Sequence, residues 1–168
     1  MGGEAACLPY PYYHFLWGAS WMSFVAAVYG YATGKPADVY IAPGAIFFTS
    51  ILYWFYPVHY SWQYYLDIST VHIMALYSLF RAYNAEFMYA YYAFFCAGVG
   101  FFPIGLYYYN RGMYVESTFA HMMLHLVANI GNIVVFSGKY EEICSPKSFM
   151  PSMICSAANN LKTPVYSG

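Results

Sequence analysis

The chain has 168 residues, of which 61% are hydrophobic and 8% charged, with a formal net charge of -1. Soluble domains carry about 45–50% apolar and 25% charged residues, so a water-facing surface wrapped round a single apolar core is excluded. Six Lys and Arg scattered against seven Asp and Glu make no basic stripe, which sets nucleic-acid binding aside.

The charges bound four long neutral runs, residues 5 to 34, 39 to 66, 87 to 110 and 117 to 138. Each is longer than the roughly 20 residues that cross a 30 Å hydrocarbon core as a helix. A fifth run, 62 to 81, carries Asp67 near its start and is otherwise neutral up to Arg81. The runs are apolar all round and lack the alternation of a transmembrane strand. The expected fold is therefore all-α: a polytopic integral membrane protein of five transmembrane helices in one domain, residues 1–138, with an irregular tail at 139–168.

In chain order, the first helix is expected at about 13–33, stopped by Gly34-Lys35-Pro36, where Gly can cap and Pro cannot continue. The second runs over about 39–58 and ends at Pro57, and the third over about 62–82. The fourth, about 86–108, holds Gly98, Gly100, Pro103 and Gly105, a cluster expected to kink it. Cys96 lies within it as a small core residue. The fifth runs over about 114–137 and stops at Ser137-Gly138-Lys139. The tail beyond is rich in Ser, Pro and Asn, and its Cys144 and Cys155 are either free thiols or a disulfide. The N-terminus has neither the basic region of a signal peptide nor an Arg-rich leader.

Basic residues fall unevenly by side. Lys35, Arg81, Lys139, Lys147 and Lys162 share one face of a five-span topology and Arg111 the other, so the C-terminus is expected on the cytoplasmic or matrix-like side. Aromatic residues are abundant, with 22 Tyr, 14 Phe and 4 Trp. The clusters at 10–13, 53–65 and 107–109 read as interfacial belts, with an aromatic lipid or quinone pocket as the alternative.

The same topology collects polar residues toward the N-terminal face: His14, His59, Asp67, Glu116, His121 and His125. His121 and His125 are four residues apart and share a helix face, which Asn129 and Asn132 continue. Asp67, Thr70, Ser78 and Arg81 share an arc of the third helix, whereas His72 points away. Imidazoles and a carboxylate are good zinc ligands, and a catalytic zinc keeps three protein ligands and a water. His59, His121 and His125 are the candidate metal ligands, with Asp67 as the catalytic group holding or deprotonating the water. Haem ligation across two helices and proton or quinone chemistry at Asp67 or Glu116 are the other chemical readings. The structural reading is that these side chains join helices by interhelical hydrogen bonds.

A His closing one helix, an Asp opening the next and a His-x-x-x-His in the last resembles the superfamily of alkaline ceramidases and progestin/adiponectin receptors. The residues that carry the resemblance are His59, Asp67 and the run His121-Met-Met-Leu-His125, within residues 50–136. It implies zinc on the three histidines, Asp67 beside it and hydrolysis of a lipid amide. The chain departs from the superfamily in having room for five helices instead of seven, and in carrying Phe55 where the superfamily has a Ser before its first His.

Two functions follow. One is a non-catalytic accessory subunit of a larger membrane complex, its partners other membrane subunits and lipids, in an organellar energy-transducing membrane such as the mitochondrial inner membrane. The other is a zinc-dependent membrane hydrolase acting on a lipid amide or ester. With little protein left to wall a pocket after five crossings, the subunit is the expected function.

Overall fold

The computed structural model describes residues 6–140. These form five helices: α1 (Tyr12–Ala32), α2 (Ala37–Trp54), α3 (Trp62–Ala82), α4 (Met88–Asn110) and α5 (Tyr114–Ser137). The expected tail from residue 141 on, with Cys144 and Cys155, lies outside the described residues.

The stops are those the local chemistry demands. After α1, Gly34 takes φ +67° and the Lys35 amide closes back on the Gly30 carbonyl at 3.0 Å, so that Pro36 can lead into α2. The helix α2 ends at Trp54, four residues before the expected end at 58. Pro57 has no N–H to give and biases the residue before it out of the helical region. The chain then turns through 55–61, and Ser61 caps α3 by accepting from the Tyr64 amide at 3.2 Å. No break divides α4: it runs unbroken through Pro103 over 23 residues.

Three of the five helices, α2, α4 and α5, are long and apolar enough to cross a membrane, which places the chain among membrane proteins. The expectation of five such helices is corrected to three. In α1 the cause is not charge, of which it has none, but its Tyr, Trp, Ser and His residues. In α3 it is Gln63, Asp67, His72 and Arg81.

Helix α1 packs along both α2 and α5, α5 packs along α4, and α3 packs along α2 but barely touches α4. Small residues allow the close approaches, as in membrane bundles generally. A Cβ on Gly131 would lie 2.8 Å from that of Phe94, and one on Gly30 2.7 Å from that of Tyr40, so neither α4–α5 nor α1–α2 could pack this closely with a larger residue. Two apolar cores result. One, near the N-terminus, holds Leu8, Leu16, Tyr53 and Trp54. The other, at the opposite end, holds Val39, Ala82, Ala85, Tyr91, Val135 and Phe136. Cys96, expected in the core, is exposed on α4.

Helix α3 is attached differently. Its buried residues are Asp67, Arg81 and Ala82, so polar groups dock it rather than an apolar stripe. At one end Arg81 Nε donates to Asp38 Oδ2 at 2.6 Å, and the Tyr77 hydroxyl donates to the same oxygen at 2.7 Å. At the other, Asp67 Oδ1 accepts from Thr49 Oγ1 at 2.9 Å and Ser50 Oγ at 2.7 Å. Both sets join α3 to α2 in antiparallel register.

The start of the tail is fastened to the Arg81 end. Lys139 N donates to Glu86 Oε2 at 3.0 Å, its carbonyl accepts from Glu86 N at 2.9 Å, and Lys35 Nζ donates to the Gly138 carbonyl at 2.5 Å. The Arg81 guanidinium sits 5.6 Å from the centre of the Tyr140 ring. Burial raises the Tyr140 phenol above its ordinary pKa, which keeps that ring a neutral π face for the cation.

Removing Asp38 strands a cation whose side chain is 3% exposed. Asp38→Ala is expected to lower the unfolding free energy in detergent micelles by about 3 kcal/mol, and an Asp38→Leu/Arg81→Met double substitution to recover most of it. Equal losses in the single and the double variants would show that the pair does not hold α3.

Candidate functional site

Residues 118 to 132 of α5 carry a polar stripe. Thr118, His121, His125, Asn129 and Asn132 follow one another at steps of three or four, which keeps them within an arc of about 80°. Asn129 Nδ2 donates to Ser23 Oγ of α1 at 3.1 Å and to the His125 carbonyl at 2.8 Å, and Asn132 Nδ2 donates to Asn129 Oδ1 at 3.2 Å. The His121 ring lies 5.2 Å from that of Trp54 on α2 and 5.2 Å from that of His125. His125 is buried, and its Nε2 has no hydrogen-bond partner among the described residues; the same holds for Thr118 Oγ1 on the same stripe. The pairing of the two histidines and the inward face of the asparagines agree with their spacing.

His59 is held elsewhere. It lies on the turn between α2 and α3, its Nε2 3.2 Å from the Tyr109 hydroxyl at the end of α4. Tyr109 gives its single proton to the Cys7 carbonyl at 2.8 Å, so His59 is the donor and carries its proton on Nε2. The early end of α2 explains this position: His59 lies five residues past the last helical turn instead of closing it.

Cys7 in turn belongs to a strap across this end of the bundle. Its amide donates to the Pro57 carbonyl at 2.8 Å and its Sγ lies 3.4 Å from the Tyr53 hydroxyl, while Leu8 next to it is 4% exposed. Burial raises the Cys7 thiol, and the hydrogen bond with Tyr53 opposes this only in part. Members of the aromatic clusters at 10–13, 53–65 and 107–109 meet here in one packed layer, in which Tyr12, Tyr13, Tyr64, Tyr109 and Tyr114 lie against Tyr53 and Trp54.

Asp67 serves the α2–α3 joint described above. His14 and Glu116 are exposed, as is His72, whose Nδ1 donates to the Ile68 carbonyl one turn back at 2.7 Å, away from Asp67 as its spacing implied.

Among the described residues no three His, Cys, Asp or Glu side chains form a group that could hold a metal ion. The expected zinc set is therefore not assembled: His121 and His125 face each other, His59 is bound to Tyr109, and Asp67 is bound to two hydroxyls of α2. The donor set does not fit a catalytic zinc, which needs three converging ligands.

Several residues that shape this end carry no motif. Thr49-Ser50, two hydroxyls inside a neutral run, could have been found by laying α2 against α3 in antiparallel register with Asp67. Cys7, Tyr53 and Tyr109 offered only their membership of aromatic clusters. Compared with known proteins, the chain matches no protein-family model, no curated protein and no solved structure.

The strap has a chemical signature. A raised thiol is less ionised at any given pH, so in the folded protein at about pH 8 Cys7 is expected to react with iodoacetamide about tenfold more slowly than in the unfolded chain. Tyr109→Phe should narrow the gap. Because the folded-state value is raised, the stability that Cys7 contributes is present at neutral pH and lost as pH rises through that value. Peptide-resolved mass spectrometry reads the rates, and equal rates in both states would mean that the strap is open.

Proposed function

We propose that this chain is a non-catalytic accessory subunit of a larger membrane assembly, embedded by five crossings. The observation that carries this reading is the use to which the ionisable side chains are put. Arg81 with Asp38, Asp67 with Thr49 and Ser50, and His59 with Tyr109 are each spent on a bond to a neighbouring helix or turn, at three separate places in the bundle. Side chains arranged in this way hold helices in place, whereas catalysis needs them gathered round a reacting atom.

Five crossings are supported by packing. α1 lies between α2 and α5, both apolar enough to span, and its 21 residues reach about 31 Å at 1.5 Å per residue. α3 has the same length, is joined to α2 near both ends, and turns Asp67 and Arg81 inward, where such groups are tolerated in a bilayer. With five crossings, Lys35, Arg81 and Lys139 share one face, and the positive-inside bias puts that face in the cytoplasm or a matrix-like compartment.

A larger assembly is supported by the outer surface. Only Tyr91, Gly98 and Gly105 of the 23 residues of α4 are buried, and Val99, Phe102, Leu106 and Tyr107 are all about half exposed. That surface is free to meet lipid or a neighbouring subunit.

Blue-native electrophoresis of the chain extracted in mild detergent tests the proposal. A stable species well above the micelle-bound monomer, with a partner in fixed stoichiometry and no zinc retained through dialysis, is the expected result. A lone monomer, or a full zinc equivalent lost in His121→Ala and His125→Ala, would overturn it.

A further inference from the structure

A second feature lies on the outside of the bundle at its N-terminal end. A cleft of about 890 Å³ opens between Trp17 of α1, the outer face of α2 and the turn that leads to α3. One wall is the stripe of Phe48 and Leu52 on α2 and Phe55 just past its end, spaced by four and three residues, so it runs about 10 Å beside a helix apolar enough to span the membrane. Its mouth is formed by Tyr60, Ser61 and Gln63.

The chemistry of the lining restricts what can occupy it. None of the eleven lining residues carries a formal charge, so a phosphate headgroup would find no cation there. Polar capacity at the mouth is small and local. Ser61 Oγ accepts from the Tyr64 amide, which leaves its own proton to give, and the Gln63 side chain makes no hydrogen bond among the described residues. Below the mouth the walls are aromatic and aliphatic.

Beside Ser61 the backbone takes an unusual conformation. Tyr60 has φ 59°, in the left-handed region that bulky residues seldom adopt and that clusters at ligand clamps. The Tyr60 ring lies 5.9 Å from that of His59 and 6.0 Å from that of Tyr64 between centres, and the residue is 76% exposed.

We propose that this cleft is a sterol site. A sterol is an uncharged, flat and rigid body with one hydroxyl at its end. Its ring system lies against the planar aromatic walls, and its hydroxyl reaches Ser61 and Gln63 at the level where Trp and Tyr mark the membrane interface. The volume is within the range of small-molecule sites. The site is built from α2, the turn after it, Trp17 of α1 and the first residues of α3, and is independent of whether the chain belongs to a larger assembly.

Photolabelling tests it. The full chain, purified and reconstituted in phosphatidylcholine vesicles containing a diazirine sterol, is irradiated and the labelled peptides are mapped. Labelling is expected to concentrate within residues 48–63, to fall on addition of cholesterol but not of diacylglycerol, and to drop about tenfold in Leu52→Trp, which fills the cleft. Gln63→Leu, which keeps the shape and removes the amide, should lower labelling with an unchanged thermal unfolding midpoint, and serves if Leu52→Trp fails to fold. Labelling spread evenly over the outer face of α4, full labelling in both variants, or equal displacement by diacylglycerol would overturn the proposal.

Discussion

A guanidinium taken out of water inside a helical bundle must be met by an acid, and in this protein that requirement fixes the position of α3. Arg81 is buried at the end of α3, and Asp38 at the start of α2 meets it with a 2.6 Å bond. α3 buries only Ala82 as an apolar residue, with Leu79 and Tyr64 partly buried against the two cores, so this pair and the Asp67 bonds to Thr49 and Ser50 are its main polar attachments to α2. Between helices in lipid there is no hydrophobic drive to associate, and polar contacts and close packing take its place. The same guanidinium lies over the Tyr140 ring, next to the bonds by which Glu86 and Lys35 hold Lys139 and Gly138.

The rest of the bundle follows the same logic with neutral groups. Ser23 and Asn129 join α1 to α5, and glycines at 30 and 131 let backbones approach until the neighbouring side chains fill the space that a Cβ would take. At the N-terminal end the hydroxyls of Tyr53 and Tyr109 hold Cys7, and through it the strap that carries Leu8 into the core. The polar groups that join the helices thus act on one another across the bundle. The cleft beside Trp17 is different, because the Gln63 side chain that lines it makes no hydrogen bond among the described residues.

Parts of this were legible in the residues. The helical stops at Gly34 and Gly138, the shared face of His121 and His125, the inward turn of Asn129 and the outward turn of His72 all follow from local chemistry and from a period of 3.6. These features need only the geometry of a single helix. The zinc set failed because it needed more: three helices had to present His59, Asp67 and the α5 pair to one point. A proline that ends α2 four residues early put His59 on a turn, within reach of a tyrosine from α4 instead. Cys96 failed for a related reason, since mid-helix position says nothing about which side of α4 meets α5.

By itself, then, the sequence determined the secondary structure, the membrane character and the composition of each helix face, because backbone hydrogen bonding in lipid admits few solutions and side-chain periodicity is a property of one element. Only the tertiary structure decided which faces meet. Whether Asp67 finds a metal or two hydroxyls, and whether Arg81 finds Asp38 or another acid, depends on the relative rotation and register of separate helices. Those are set by glycine contacts and ion pairs between residues far apart in the chain, which no local pattern encodes.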